Sequence, residues 1–206
     1  MKKLFLTMLF MLPALWCFER PLDTQSVDIK RTADFMTVFS QIKAHEGAWV
    51  HDMNDKGGET YAGITRRWNP QWEGWQFVDE AKPLKQCDSV GGLVPHYVLD
   101  YYLTIWVREG FYLIKDQQVA NYLFDFRIHG TIGTKIITRV MKDMGAKIEV
   151  TNDMTEDITR AANSLNKKLF LRKLQKSRIE FYRGIVKRDP SQRKFLSHWL
   201  YRAQKV

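Results

Sequence analysis

The chain is poor in cysteine, which limits the covalent and metal-binding frameworks that it can form. Its 206 residues include two cysteines, too few for a disulfide-rich scaffold, and they lack the spacing of zinc ligands. The five histidines are scattered, and although His45 and His51 flank Glu46, there is no H-E-x-x-H motif. We therefore expect neither a metal site nor a cofactor.

Long hydrophobic runs are also scarce, because only the first residues form one. Lys2 and Lys3 precede an apolar run from Leu4 to about Leu15, which is the pattern of a secretory signal peptide. The run is shorter than the roughly 20 residues that a transmembrane helix needs. The sequence thus predicts a signal peptide over residues 1–18 and an exported protein of the periplasm or cell envelope, with no stable membrane span in its mature form.

The cysteine at the end of this run raises the alternative of a lipid anchor. The residue before Cys17 is Trp16, which is a poor match to the signal of a lipoprotein. The sequence therefore favours a cleaved signal peptide over a lipoprotein. The polar segment 19–31 that follows lacks periodicity and is predicted to be a linker.

Acidic residues are fewer than basic ones in this chain. It contains 32 lysines and arginines but 23 aspartates and glutamates, which gives a formal net charge of +9. This balance favours polyanionic partners, which include nucleic acid, anionic lipid and acidic cell-wall polymers. Predicted export argues against nucleic acid. The cations gather late in the chain, where they form either the solvated face of a helix or a surface towards an anionic envelope. They include Lys167, Lys168, Arg172, Lys173, Lys176, Arg178, Arg183, Lys187 and Arg188.

Strand signals are few, and helical periodicity dominates. A hydrophobic fraction of 45% is sufficient for a folded core. Apolar residues at helical spacing predict helices around residues 35–46, 95–106, 119–129, 136–144, 167–187 and 192–203. Gly130 and Gly145 are expected helix stops, whereas residues 155–157 resemble a helix start. Residues 59–65 are expected to form a short strand or a hairpin, so the fold class is mainly α.

One acidic residue lies on the apolar face of the first predicted helix. Phe35, Phe39 and Ile42 follow the spacing of a buried stripe, and Glu46 occupies the next position on it before Gly47 ends the helix. A carboxyl group among apolar side chains has a raised pKa, because burial disfavours its charged form. A glutamate paired with a buried cation, or one at a frayed helix end, is the equally open alternative.

The stretch that follows carries a recognisable pattern. Glu46-Gly47, then Asn54-Asp55-x-Gly57-Gly58-Glu59-Thr60, then Gly63-Ile64-Thr65 resembles the glycoside hydrolase family 108 N-acetylmuramidases. The resemblance implies a lysozyme-like helical fold with a small loop and β-hairpin subdomain near the active site. It also implies that Glu46 is the catalytic acid.

The chemistry of glycoside hydrolysis agrees with this pattern. Cleavage needs a protonated acid beside the leaving oxygen, and a second carboxylate commonly assists. Glu46 on an apolar stripe suits the first role, and Asp55, among polar neighbours, suits the second, although an Asx-turn role for Asp55 stays open. Thr60 or Thr65 are candidates to hold water, with turn or cap roles as the alternative. Inversion would require carboxyl groups about 6.5–9.5 Å apart.

Aromatic residues supply the candidate sugar contacts. Tyr61, Trp68 and Trp106 are predicted to bind substrate, because flat rings stack on sugar faces. Most of the tryptophans between positions 49 and 75 are nevertheless expected to pack in the core.

The resemblance covers about residues 33–203 and divides the chain into two predicted regions. Residues 32–115 form the expected lysozyme-like catalytic region, and residues 116–206 resemble the family's helical peptidoglycan-binding region, packed on the first. This second half departs from the family pattern, since "NDMTED" replaces a D-G-x-G-x-x-T motif and His198 replaces a glycine.

Together these features predict a secreted, monomeric peptidoglycan hydrolase. It would cleave the β-1,4 bond between N-acetylmuramic acid and N-acetylglucosamine, with Glu46 as general acid and peptidoglycan glycan strands as substrate. Two alternatives remain open. One is a lytic transglycosylase, and the other is a non-catalytic wall-binding or secretion-accessory protein on the same fold.

Overall fold

The computed structural model describes residues 32–45, 48–51, 57–128 and 131–205. In this part of the chain the helices are α1 Phe35–His45, α2 Gly74–Glu80, α3 Val94–Arg108, α4 Gln117–Ile128, α5 Thr131–Asp143, α6 Glu156–Ala162, α7 Lys167–Arg188 and α8 Arg193–Gln204. Strands β1 Trp49–His51, β2 Glu59–Tyr61 and β3 Ile64–Thr65 form one small sheet. The predicted mainly α class is confirmed. The predicted signal peptide (1–18), the linker (19–31) and the helix stop at Gly130 lie outside the described residues.

Helix α1 begins where its sequence supplies a cap. The carboxylate of Asp34 accepts hydrogen bonds from the backbone N–H of Thr37 at 2.6 Å and from its hydroxyl at 2.8 Å, and these bonds lower the pKa of Asp34. Such a cap satisfies one of the free N–H groups at a helix start. The predicted apolar stripe then turns inwards, with Val38, Phe39 and Ile42 buried.

The strands form an antiparallel sheet in the order β1-β2-β3. A two-residue turn joins β2 to β3, and both of its residues, Ala62 and Gly63, have positive φ angles of 47° and 80°. This is the backbone of a type I′ hairpin turn, which matches the twist of paired strands. The hydroxyl group of Tyr102 on α3 donates to the carbonyl oxygen of Ala62 at 2.8 Å, and thereby fixes the turn against the helical core. The hairpin prediction is confirmed.

A single hydrophobic cluster runs from the first helix into α7. It crosses the predicted boundary between residues 115 and 116, and the backbone N–H of Asp34 also donates across that boundary to the side-chain oxygen of Gln117 at 2.7 Å. Because the core is continuous at that point, the structure marks no edge there. The division into two regions stays a prediction.

Three buried charges connect the helices of the second half. Asp125 on α4 forms ion pairs with Arg178 on α7 at 2.7 Å and with Arg202 on α8 at 2.8 Å. Arg178 is 0% exposed and lies over the ring of Phe126 at 4.7 Å. Arg178 therefore differs from the other late cations, which are exposed on the surface as expected. Arg178 lies on the same face of α7 as the buried residues Phe170 and Leu174, and this spacing was the sequence signal for its burial.

Among the residues that the structure describes, none of the helices combines the length and the apolar composition that a membrane span requires.

Candidate active site

A cavity of about 480 Å³ lies beside the C-terminal end of α1. One side of the cavity comes from α1, a second from the hairpin turn and a third from the start of α3. Its lining residues include Phe39, Ile42, Lys43, Ala48, Tyr61, Ala62, Val90, His96, Leu99 and Tyr102. This volume is within the range of roughly 300–1,000 Å³ that is typical of small-molecule sites.

The two principal candidates of the sequence, Glu46 and Asp55, lie outside the described residues. The segment that contains Glu46 is nevertheless bracketed by residues of the cavity. Lys43 lines the cavity three positions before Glu46, and Ala48 lines it two positions after.

The two candidate threonines lie together. Thr60 on β2 and Thr65 on β3 are directly opposite in the register of the hairpin, so their side chains lie on the same face of the sheet. Both are half-buried. The Thr60 hydroxyl group donates to the carbonyl oxygen of Gly58 at 3.4 Å, which is a long bond. Neither threonine is among the residues that line the cavity, and because side chains alternate along a strand, Thr60 lies on the opposite face from Tyr61. A water-positioning role for either threonine stays a prediction.

The three aromatic candidates occupy different environments. Tyr61 lines the cavity, but its hydroxyl group is held by the backbone of Val90, accepting from the N–H at 2.8 Å and donating to the carbonyl oxygen at 3.2 Å. Trp68 is 69% exposed and does not line the cavity. The guanidinium group of Arg67 lies over its ring at 5.3 Å, which leaves the other ring face accessible to a sugar. Trp106 is 3% exposed and packs against Phe111 and other rings of the core, so its predicted contact with substrate has no support in the geometry.

A third acid of the motif, Glu59, proves to belong to an ion-pair network. Its carboxylate accepts a hydrogen bond from the indole N–H of Trp49 at 2.7 Å and pairs with Arg66 at 2.6 Å and Lys82 at 2.9 Å. Burial alone would raise the pKa of Glu59, but the bonds from Trp49 and Lys82 and the two positive charges outweigh it and lower the pKa. Glu59 therefore stays ionised near neutral pH and does not suit the role of proton donor.

His96 and Tyr102 are among the residues of the cavity wall that were not predicted as site residues. His96 lies in the first turn of α3, and Tyr102 lies two turns further along the same helix. Proline directly before His96 is a signal for a helix start, and a helix start at the edge of a cavity is where a side chain would meet a ligand. The sequence provides no comparable signal for the packing of α3 against the hairpin.

Comparisons with known proteins agree with the predicted family. Residues 39–130 match the family described as Glycosyl hydrolase 108, a segment that contains the quoted motif and the cavity residues from Phe39 to Tyr102. The match confirms the resemblance and the enzyme class of glycoside hydrolase. It supports the coarser part of the predicted function, a peptidoglycan hydrolase that acts on glycan, and such an enzyme works outside the cytoplasm.

A solved structure shows a similar fold. The structure titled "Structure of Brucella abortus SagA" has a TM-score of 0.55 and 20% sequence identity, over 82% of this chain and 92% of that chain. At this identity the likeness shows the fold alone. Its coverage is far larger than residues 39–130, so much of the helical second half shares the fold as well. No curated protein matches the chain.

Proposed function

We propose that this chain, which carries a Glycosyl hydrolase 108 segment over residues 39–130, is an N-acetylmuramidase that uses Glu46 as its general acid. The bond cleaved is the β-1,4 linkage between N-acetylmuramic acid and N-acetylglucosamine. The observation that carries the proposal is the cavity of about 480 Å³ at the end of α1, since Lys43 and Ala48 line it on either side of Glu46 in the chain.

The cavity wall suits a proton donor. Phe39, Ile42 and Leu99 provide an apolar surface, and a carboxyl group beside such a surface holds its proton at higher pH than in water. Lys43 is exposed, so solvent screens the charge that would favour the ionised form. Glu46 then delivers its proton to the leaving oxygen while positive charge develops at the sugar carbon.

The remaining roles are assigned on chemical grounds. Asp55 is an ionised carboxylate that stabilises the developing positive charge or activates water. Thr60 and Thr65 share one face of the hairpin but do not line the cavity, so their role in binding the attacking water rests on the motif. Trp68 presents an exposed ring, on which a sugar face can stack, whereas the hydroxyl group of Tyr61 is engaged by the backbone.

Analysis of the reaction products tests this function. Purified peptidoglycan is digested with the wild-type protein, the new ends are reduced with borohydride, and the reduced sugar is identified by mass spectrometry. A muramidase produces reduced muramic acid at the new ends. Reduced glucosamine would show that the other glycosidic bond is cut, and a 1,6-anhydro end would show a transglycosylase. An absence of new ends would support a non-catalytic wall-binding protein.

A further inference from the structure

A second cavity, of about 360 Å³, lies on a different face of α3. Residues at positions 97, 101, 104 and 108 repeat at intervals of three and four along that helix and line the cavity, whereas the cavity beside α1 uses positions 95, 98, 99 and 102. The opposite wall is the loop between β3 and α2. The lining residues of this α3 outer cavity are Asn69, Gln71, Trp72, Glu73, Tyr97, Asp100, Tyr101, Thr104, Ile105 and Arg108.

The aromatic rings of the α3 outer cavity are held in place by bonds to the framework. The indole N–H of Trp72 donates to the carbonyl oxygen of Tyr97 at 3.2 Å, and the hydroxyl group of Tyr101 donates to the side-chain oxygen of Asn69 at 3.1 Å. Phe77 stacks on Tyr97 with ring centroids 5.3 Å apart. Rings that are fixed before a ligand arrives lose little conformational entropy on binding.

Unlike the aromatic rings, the polar side chains at the rim of the α3 outer cavity are available to bind a ligand. Within the described part of the chain, the carboxylates of Glu73 and Asp100 and the side chains of Gln71 and Thr104 have no hydrogen-bond or ion-pair partner. Arg108 is also at the rim, and its side chain is 62% exposed and pairs with Glu109 at 3.0 Å. Free acceptors and donors therefore surround a floor of aromatic rings.

The mixture of charges restricts the class of ligand. An anionic ligand would meet the two carboxylates, and a cationic ligand would meet the guanidinium group of Arg108. A neutral molecule with many hydroxyl groups avoids both conflicts, because a hydroxyl group donates to a carboxylate and accepts from a guanidinium group. A sugar ring also has an apolar face, which packs on an aromatic ring.

We propose that the α3 outer cavity is a second carbohydrate-binding site, which holds a neutral sugar of a glycan strand against Tyr97 and Tyr101. Asn69 connects it to the candidate active site, since its side-chain N–H donates to the carbonyl oxygen of Thr65 at 3.0 Å. The identity of the glycan rests on the proposed function, whereas the site itself rests on the cavity. A strand held at this position would increase affinity for polymeric substrate without taking part in the reaction.

Calorimetric titration of the full chain with triacetylchitotriose, a neutral oligomer of N-acetylglucosamine, tests the site. The Glu46→Gln background prevents turnover of the ligand. In that background the double variant Glu73→Ala, Asp100→Ala should weaken binding by at least about tenfold, because two charge-assisted hydrogen bonds are lost. The control is Asp143→Ala, an exposed acid at the end of α5 that does not line the cavity, and its affinity should equal that of the background.

Steady-state kinetics on peptidoglycan provide the second readout. With Glu46 intact, the double variant should raise KM and leave kcat unchanged, which is the signature of lost substrate binding away from the reaction. Tyr97→Phe, which keeps the ring, should retain the affinity for triacetylchitotriose, whereas Tyr97→Leu should lose it. Circular dichroism of each variant confirms that the chain is folded.

The outcomes separate the two proposals. If the wild type cuts peptidoglycan but the double variant matches Asp143→Ala in both affinity and KM, the carbohydrate site is wrong and the proposed function stands. If the double variant loses the oligomer while the wild type cuts nothing, the site stands and the proposed function fails. Binding of a small diamine such as cadaverine in place of the oligomer would overturn the assignment of a neutral ligand.

Discussion

Two networks of charged side chains, one beside the hairpin and one among the late helices, differ in how much water reaches them. Beside the hairpin, Glu59 is 10% exposed, but its partners Arg66 and Lys82 are 32% and 40% exposed. Among the helices, Asp125 and Arg178 are 3% and 0% exposed. Water screens the first network strongly and the second hardly at all.

The two networks lie in different parts of the chain. The solvent-exposed network belongs to the part that forms the cavities, and the buried network belongs to the helices that pack against that part. Both cavities are lined by residues between positions 36 and 108, where loops and a short sheet supply surfaces that helices alone do not. The buried triad of Asp125, Arg178 and Arg202 instead connects α4, α7 and α8. We expect damage to the triad to unfold the chain, and damage to the hairpin region to alter activity or local stability.

Asp125→Asn should produce the largest loss of stability. The substitution leaves two buried guanidinium groups without their carboxylate, and breaking a buried pair costs roughly 3–5 kcal/mol. Urea unfolding followed by circular dichroism measures the change. The matched control is Glu149→Gln, which removes an exposed ion pair with Lys142 and should change the unfolding free energy by less than about 1 kcal/mol. Equal effects of the two variants would contradict the contrast between the networks.

Gly110→Ala tests the junction between the two halves and should have the next largest effect. Gly110 has a φ angle of 72°, and an added Cβ would lie 2.8 Å from Cγ of Glu156 on α6. Backbone strain alone costs about 1–3 kcal/mol, and the close contact adds to it. Gly92→Ala is the control, because its φ angle is 65° but no atom lies within 4 Å of the added Cβ. Thermal unfolding should show a clearly larger drop in Tm for Gly110→Ala than for Gly92→Ala.

Glu59→Gln should have a smaller effect that depends on pH. Because folding lowers the pKa of Glu59, its contribution to stability is complete above the unfolded value of about 4.3 and is lost as the pH falls towards the folded value. The substitution should cost about 1–3 kcal/mol at neutral pH and should flatten the decline of Tm in acid. Asp79→Asn, at a side chain that is 45% exposed, should cost less than about 1 kcal/mol. If the Tm of Glu59→Gln falls with decreasing pH as steeply as the Tm of the wild type, Glu59 does not contribute to the loss of stability in acid.

Much of the helical fold was predictable, because its signals are local. Apolar spacing predicted α1 and the long α7, and the acids at the start of α6 marked its beginning, where Thr155 caps the helix. Positive φ angles at Ala62 and Gly63 agree with the expected hairpin. Strand β1 was not predicted, since three residues carry too little periodicity and its pairing with β2 is set by contacts across the loop.

The candidate site was less accessible to sequence reasoning. Trp106 has the flat aromatic ring of a sugar-binding residue, but only the folded structure shows that the rings of Phe111 and Phe124 pack against it. The burial of Arg178 had a local signal, its place on the stripe of Phe170 and Leu174. Its pairing with Asp125 had none, because Asp125 is 53 positions earlier in the chain. The α3 outer cavity forms because the loop that contains Asn69 packs near the end of α3 that contains Arg108. This packing is likewise a tertiary property.

The rate of peptidoglycan cleavage by Glu46→Gln tests the central claim most directly. Glutamine keeps the shape of the side chain but has no acidic proton, so the release of reducing ends should fall by about 10²–10⁴-fold. Glu80→Gln, the same change at an exposed position of α2, should retain the wild-type rate, and both variants should unfold at the wild-type Tm. A Glu46→Gln protein that is folded and still cleaves peptidoglycan at the wild-type rate would contradict the assignment of Glu46 as the general acid.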